Sequence, residues 1–96
     1  MRINPEQIKT ITEITHSVAG ADAQVWLYGS RLQDDRRGGD IDLMIQTISP
    51  LSLMDRAKIK TRLEFLLNKP VDVLATTLDS TRPFVDIARA QAVRLG

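Results

Sequence analysis

The most constraining feature of this sequence is a pair of aspartates set into an apolar run, Asp40-Ile41-Asp42-Leu43. Alternate residues of a strand share a face, so Asp40 and Asp42 point the same way with Cα atoms about 6.7 Å apart. Ile41 and Leu43 then point into a core. Two like charges this close repel each other unless a cation lies between them. The pair therefore predicts a strand that is buried on one face and carries a charged site on the other.

Length and composition limit what can surround this strand. The 96 residues predict a single domain, residues 1–96, too small to enclose both a nucleotide and a macromolecular acceptor, so we expect a partner chain. There is no cysteine and only one histidine, which excludes disulfides, cysteine nucleophiles and multi-histidine metal sites. A net charge of +1 without a concentrated basic patch argues against general nucleic-acid binding. No run resembles a signal peptide or a membrane span, so we expect a cytoplasmic protein that does not bind membranes.

Hydrophobic periodicity predicts the order of the elements. Asn4 as N-cap, Pro5 and Gln7 begin a first helix that ends at Gly20, with an apolar stripe of Ile8, Ile11, Ile14 and Val18. Apolar and β-branched runs predict strands at residues 24–28, 40–46 and 71–75. A long helix from Ser49-Pro50 to residues 68–70 and a last helix after residues 79–81 complete the chain. This order predicts a small two-layer α/β fold with helices packed on a three- or four-stranded sheet, and it leaves the strand directions open.

Side-chain positions follow from the same patterns. The long helix is expected to bury Ile59, Leu63, Leu66 and Leu67, and the last helix Phe84, Ile87 and Ala88. Trp26 and Phe65 are expected in the core, and His16 is expected on the surface.

A turn and a third carboxylate accompany the aspartate pair. Gly29-Ser30 directly follows the first predicted strand, where glycine lets the backbone approach a ligand and a serine with free N–H groups can face a phosphate. Asp72 lies in the third apolar run. If its strand neighbours that of Asp42, the two strands are about 4.8 Å apart. Three hard carboxylates opposite a phosphate-binding turn predict two-metal phosphoryl transfer, and they suit Mg²⁺.

Gly29-Ser30, nine further residues and then Asp40-Ile41-Asp42-Leu43 resemble the signature of the DNA polymerase β-like nucleotidyltransferase superfamily. The similarity is strongest to its short bacterial branch, the minimal nucleotidyltransferases (MNT, MntA-like). It covers nearly the whole chain, including the strand of Asp72 and residues 82–89. The resemblance implies the nucleotidyltransferase fold with a mixed sheet and ATP as substrate.

The resemblance also implies roles for the motif residues. Ser30 and the Gly29 backbone would hold the β- and γ-phosphates of ATP. Asp40 and Asp42 would bind Mg²⁺, and Asp72 would complete the second metal site and help to deprotonate the attacking hydroxyl. Arg31 is a further candidate contact for the triphosphate, with a solvated loop charge as the other interpretation.

Members of this branch are commonly encoded with HEPN-domain ribonucleases as toxin–antitoxin pairs. The resemblance therefore implies an antitoxin that adenylylates its HEPN partner, with tyrosine as the acceptor, in a Mg²⁺-dependent reaction. Two other functions stay open. One is a non-catalytic antitoxin that neutralises the partner by stoichiometric binding, with vestigial carboxylates. The other is nucleotidyl transfer to a small molecule or an RNA end, which the absence of a second, acceptor-binding domain disfavours.

Overall fold

The computed structural model describes residues 3–28, 41–78 and 92–96, and these contain two helices and four strands. In chain order the elements are α1 (Pro5–Ala19), β1 (Gln24–Tyr28), β2 (Ile41–Thr47), α2 (Leu53–Leu67), β3 (Val71–Thr77) and β4 (Val93–Arg94). The predicted last helix, with Phe84, Ile87 and Ala88, lies outside the described residues. No helix in the described ranges is long and apolar enough to cross a membrane.

Helix α1 begins and ends as its sequence predicts. The Asn4 side chain accepts a hydrogen bond from the Gln7 backbone N–H at 2.8 Å, and the Gln7 side chain accepts one from the Asn4 N–H at 3.0 Å. This reciprocal pair is a capping box, and Pro5 occupies the first turn, where its missing N–H costs nothing. Gly20 ends the helix with φ 103°, a conformation that other residues rarely adopt.

The sheet has the order β3-β2-β1-β4. β1 pairs antiparallel with both β2 and β4, whereas β2 and β3 are parallel and are connected through α2. The sheet is therefore mixed and four-stranded, which confirms the predicted fold class. β4 was not predicted, because a strand of two residues is too short to show a hydrophobic period.

Both helices pack on one face of this sheet, which we call the helix face. Its buried side chains alternate along each strand with those of the opposite face, as the strand geometry requires. The core between the layers contains Ile11, Val25, Leu27, Ile41, Leu43, Ile45, Ile59, Leu63, Val71 and Val73. This arrangement confirms the predicted two-layer architecture.

The long helix starts later than predicted. α2 begins at Leu53, where the Ser52 hydroxyl accepts a hydrogen bond from the Asp55 N–H at 3.0 Å. Ser49-Pro50 precedes it as part of the connection. A Ser-Pro pair resembles an N-cap followed by a first helical residue, but Ser52 offers the same capping oxygen three residues on. β2 and β3 each run past their predicted ends, to Thr47 and Thr77.

Two residues of α2 expected in the core are exposed, so those predictions were wrong. Phe65 has an exposed fraction of 85%, and Leu66 is exposed as well. The buried stripe is set by Ile59 and Leu63, and Phe65 follows Leu63 by two residues, or about 200° around the helix. Trp26 is half-buried on the face opposite the helices.

His16 was predicted on the surface, and it is half-buried. Its Nε2 lies 3.0 Å from the Ala23 carbonyl oxygen, which holds the turn between α1 and β1 against the end of the helix.

Candidate active site

Three side chains form a row across three neighbouring strands. Asp42 of β2 is the register partner of Asp72 on parallel β3, and it is also the register partner of Tyr28 on antiparallel β1. Register partners point to the same face of a sheet, and neighbouring strands are about 4.8 Å apart. The row Tyr28–Asp42–Asp72, the carboxylate row, therefore lies on the face opposite the helices. This placement confirms that the strands of Asp42 and Asp72 are neighbours.

Burial changes along this second face. On β2, Met44 and Gln46 are buried, whereas Asp42 is only half-buried. On β3, Thr76 is buried and Asp72 is exposed. The carboxylate row thus occupies the end of the face that solvent can reach, as a site for a charged ligand requires.

The elements hold the two aspartates differently. Asp42 stands between Ile41 and Leu43, whose side chains are buried in the core, so its backbone is fixed on both sides. Asp72 stands between Val71 and Val73, but its own side chain is open to solvent. One carboxylate is therefore anchored and the other is accessible to a molecule that approaches from solution.

Tyr28 adds a phenol to the row. Its ring packs against Met44, the next residue of β2 on this face. Burial, and then the negative charges of Asp42 and Asp72, raise the pKa of the Tyr28 hydroxyl above its ordinary value. The effect of both carboxylates on one hydroxyl supports their convergence. At neutral pH the hydroxyl is a neutral donor beside two acceptors.

Four of the predicted site residues, Gly29, Ser30, Arg31 and Asp40, lie outside the described residues. Their roles, and the shared face of Asp40 and Asp42, stay predictions. Tyr28 and Asp42 lie on either side of residues 29–40 in the sequence, and they are register partners. The described residues that flank this segment therefore meet at the carboxylate row.

The described residues include two of the three carboxylates that the sequence predicts as Mg²⁺ ligands. Within residues 3–28, 41–78 and 92–96, no group of three His, Cys, Asp or Glu side chains could hold a metal ion. Asp42 and Asp72 offer two hard oxygen donors in register, which suits Mg²⁺. The predicted set is complete only with Asp40, so these residues fit the cation as two of its three ligands.

Tyr28 was not predicted as a site residue. Its signal is positional, since it is the last residue of an alternating strand and directly precedes Gly29-Ser30. Farther along the same face, Trp26 Nε1, Gln46 Nε2 and Thr76 Oγ1 are buried and have no hydrogen-bond partner among residues 3–28, 41–78 and 92–96. Sequence patterns do not reveal unpaired polar atoms, because pairing depends on what packs over the strands.

The chain matches one protein-family model and several solved structures. A family model described as "Polymerase beta, Nucleotidyltransferase" matches residues 6–93. No curated protein matches the sequence. Among solved structures, a crystal structure of the toxin–antitoxin pair MntA–HpeT, in a form with two Asp-to-Glu changes, has a TM-score of 0.77 and 18% identity. The match covers 98% of this chain and 73% of that chain.

Two further structures have the same fold. One is the tri-AMPylated Shewanella oneidensis HEPN toxin in complex with its MNT antitoxin, with a TM-score of 0.72 and 18% identity over 95% of this chain and 70% of that one. The other is a toxin–antitoxin structure with AMP-PNP, with a TM-score of 0.72 and 20% identity over 98% and 73% of the two chains. Similarity at this identity establishes the shared fold, and these relatives crystallise with a toxin partner.

Proposed function

Because this chain belongs to the polymerase β-like nucleotidyltransferase family, we propose that it is an MNT-type antitoxin that transfers AMP from ATP to a HEPN-domain toxin. The register of Asp42 and Asp72 on one open face of the sheet carries this proposal. The tri-AMPylated HEPN toxin bound to an MNT antitoxin, and the related structure with AMP-PNP, support the nucleotide, the modification and the partner.

Transfer requires the substrate to be held and a proton to be removed. Asp42, with Asp40, fixes the nucleotide end of the site, and the N–H groups after Gly29 hold the terminal phosphates. Asp72 is exposed, so the incoming hydroxyl can reach its carboxylate. Asp40, Asp42 and Asp72 would hold Mg²⁺, which would neutralise the phosphate charge.

The bond changes follow from these positions. The acceptor oxygen forms a bond to the α-phosphorus of ATP, and the bond between that phosphorus and the bridging oxygen of pyrophosphate breaks. The proton of the acceptor hydroxyl passes to Asp72, and pyrophosphate leaves towards Gly29-Ser30. Tyr28 lies on the other side of Asp42 from Asp72, so its phenol is not on the side where Asp72 takes up the proton.

The acceptor is a tyrosine hydroxyl of the HEPN ribonuclease. Each AMP unit adds a phosphodiester charge to that surface. RNA is a polyanion, so negative charge near its binding surface weakens its binding and silences the ribonuclease. A small amount of antitoxin can then inactivate an excess of toxin.

The test is to incubate purified HEPN toxin with this chain, ATP and Mg²⁺, and to follow AMP transfer to the toxin by mass spectrometry. A substoichiometric amount of this chain should add one or more AMP units to the toxin. Asp42→Asn should lower the transfer rate by about 100-fold or more, because it removes charge stabilisation at the reacting phosphate. Asp22→Asn is the matched control, since Asp22 is exposed and far from the carboxylate row in the fold.

The outcome also separates catalysis from simple binding. A variant with Asp40, Asp42 and Asp72 all changed to Asn should fail to protect cells that express the toxin. If that variant protects as well as the wild type, and only at equimolar dose, the chain is a non-catalytic antitoxin and the transferase proposal is wrong.

A further inference from the structure

Helix α2 carries apolar side chains that the fold does not use. Phe65 is 85% exposed, and Leu66 and Met54 are exposed as well. Phe65 and Leu66 line an open groove of about 410 Å³ together with Ile14 of α1, Thr61 and Arg62. We call this the α2 groove. A contiguous apolar surface of this kind marks a binding site more often than an isolated exposed leucine does.

The α2 groove and the carboxylate row lie on opposite sides of the molecule. The opposite side of α2 buries Ile59 and Leu63 against the sheet. The sheet itself then separates the groove from Asp42 and Asp72. A molecule in the groove does not occupy the nucleotide site, so nucleotide transfer does not account for this surface.

Two cations border the apolar floor. Arg62 lines the groove and Lys58 stands one helical turn before it, both exposed. In the described part of the chain, neither forms an ion pair. Their neighbours on α2 are engaged, since Arg56 donates to the Val73 carbonyl and Lys60 to the Val71 carbonyl. Lys58 and Arg62 therefore remain available for an acidic partner.

The positive charge of Lys58 and Arg62 decides which kind of partner can occupy the α2 groove. A second copy that paired α2 with α2 about a two-fold axis would bring Lys58 and Arg62 towards the same residues of the other copy, and like charges repel. An anionic membrane would gain only about 1 kcal/mol per cation from this pair, and a bilayer is too flat to enter a groove between helices. A helix with an apolar stripe bordered by carboxylates satisfies both the groove and its cations.

We propose that the α2 groove docks an acidic amphipathic helix of the HEPN-domain toxin. The identity of the partner rests on the proposed function, whereas the shape and charge of the site rest on α2. The docking contact is separate from the carboxylate row. One antitoxin can thus hold a toxin chain in the α2 groove while the carboxylate row, on the opposite side of the molecule, modifies a tyrosine.

The experiment measures the Kd for the purified HEPN toxin at moderate and high salt. Phe65→Glu should weaken binding by about tenfold or more, because it puts a charge into the apolar floor of the groove. Arg62→Glu should do the same, because it reverses the charge that faces the acidic helix. The matched controls are Ile48→Glu and Lys9→Glu, exposed positions outside the groove that should change Kd by less than about twofold. High salt should weaken wild-type binding more than binding of Arg62→Glu.

Separate readouts distinguish this proposal from the proposed function. Asp42→Asn should bind the toxin with wild-type Kd while losing AMP transfer. Wild-type affinity in both groove variants overturns the docking site, whatever the transfer rate. The docking site is equally overturned if the wild type does not bind the toxin. It is also overturned if the only effect of Phe65→Glu is to abolish self-association in sedimentation. The third such outcome is that phosphatidylserine vesicles bind the wild type but do not bind the Phe65→Glu variant.

Discussion

Tyr28 and Asp42 are register partners across β1 and β2, and this pairing places a phenol beside the two described carboxylates of the site. The phenol packs on Met44, and its burial together with the neighbouring negative charges raises the pKa of its hydroxyl. A neutral hydroxyl beside Asp42 can donate a hydrogen bond where a second anion would repel. At neutral pH Tyr28 therefore adds no third negative charge to this row.

The ionisation of Tyr28 can be measured directly, because it is the single tyrosine of the chain. In Mg²⁺-free buffer, tyrosinate absorbance should appear at a pH above the ordinary tyrosine range, since burial and the nearby carboxylates raise its pKa. Asp42→Asn should bring the midpoint back towards about 10. A wild-type midpoint at or below the ordinary value would contradict the placement of both carboxylates.

The same shift affects stability at alkaline pH. The folded pKa of Tyr28 is raised, so the stabilisation by its protonated form is fully present below about pH 10 and is lost as pH rises through the folded pKa. The free energy of unfolding of the wild type should fall over that range more steeply than that of Tyr28→Phe. Urea unfolding of both proteins across the alkaline range measures the difference.

Nucleotide binding should depend on metal and on Asp42. ATP with Mg²⁺ should raise the Tm of the chain, whereas ATP with EDTA should raise it much less. A ligand at a hundred times its Kd stabilises the folded state by about 2.7 kcal/mol. Asp42→Asn should lose the Mg²⁺-dependent part of the shift and keep the unliganded fold, because it weakens the repulsion with Asp72. Equal shifts with and without Mg²⁺ would argue against a carboxylate metal site.

Truncation should destabilise the fold at one residue of α2 and leave it almost unchanged at another. Leu63 is fully buried, so Leu63→Ala should lower the free energy of unfolding by about 2–5 kcal/mol. Phe65→Ala should change it by no more than about 0.5 kcal/mol, because most of the ring is already in water. Chemical denaturation of the two variants decides between this arrangement and a core position for Phe65.

The end of α2 depends on a left-handed residue. Asn68 adopts φ 55° and ψ 41° at the C-cap, and its N–H donates to the Glu64 carbonyl at 2.9 Å. Asn68→Val should destabilise the fold by about 1–2 kcal/mol, since a β-branched residue resists this conformation. Asn68→Gly should be neutral or slightly stabilising, because glycine adopts it freely. A loss of stability in the glycine variant equal to that in the valine variant would show that the Asn68 side chain, rather than its backbone conformation, matters.

Local rules predicted much of this molecule. The capping box of Asn4 and Gln7 and the three longer strands follow from contacts between residues close in sequence. The proximity of Asp42 and Asp72 was predicted only on the condition that their strands are neighbours, and the structure supplies that condition. For the capping box and for each of the three longer strands, one short segment contains all the information.

The features that sequence reasoning missed depend on distant packing. Phe65 is as apolar as its buried neighbours, and only the rotation of α2 fixed by Ile59 and Leu63 directs it to solvent. β4 pairs at the edge of β1 with two residues, Val93 and Arg94, too few for a pattern. Tyr28 becomes a site residue only once Asp42 is paired beside it. None of these relations can be read within a single segment.

Thirty residues separate Asp42 from Asp72 along the chain, and they become neighbours only through the parallel crossover β2–α2–β3. The parallel β2–β3 pair requires the crossover connection through α2, whereas the antiparallel strands β1 and β2 are closer in sequence. During synthesis, β3 must therefore leave the ribosome and dock beside β2 before Asp42 and Asp72 become neighbours. A chain whose synthesis stops within α2 therefore contains Asp42 but has no second carboxylate from β3 beside it.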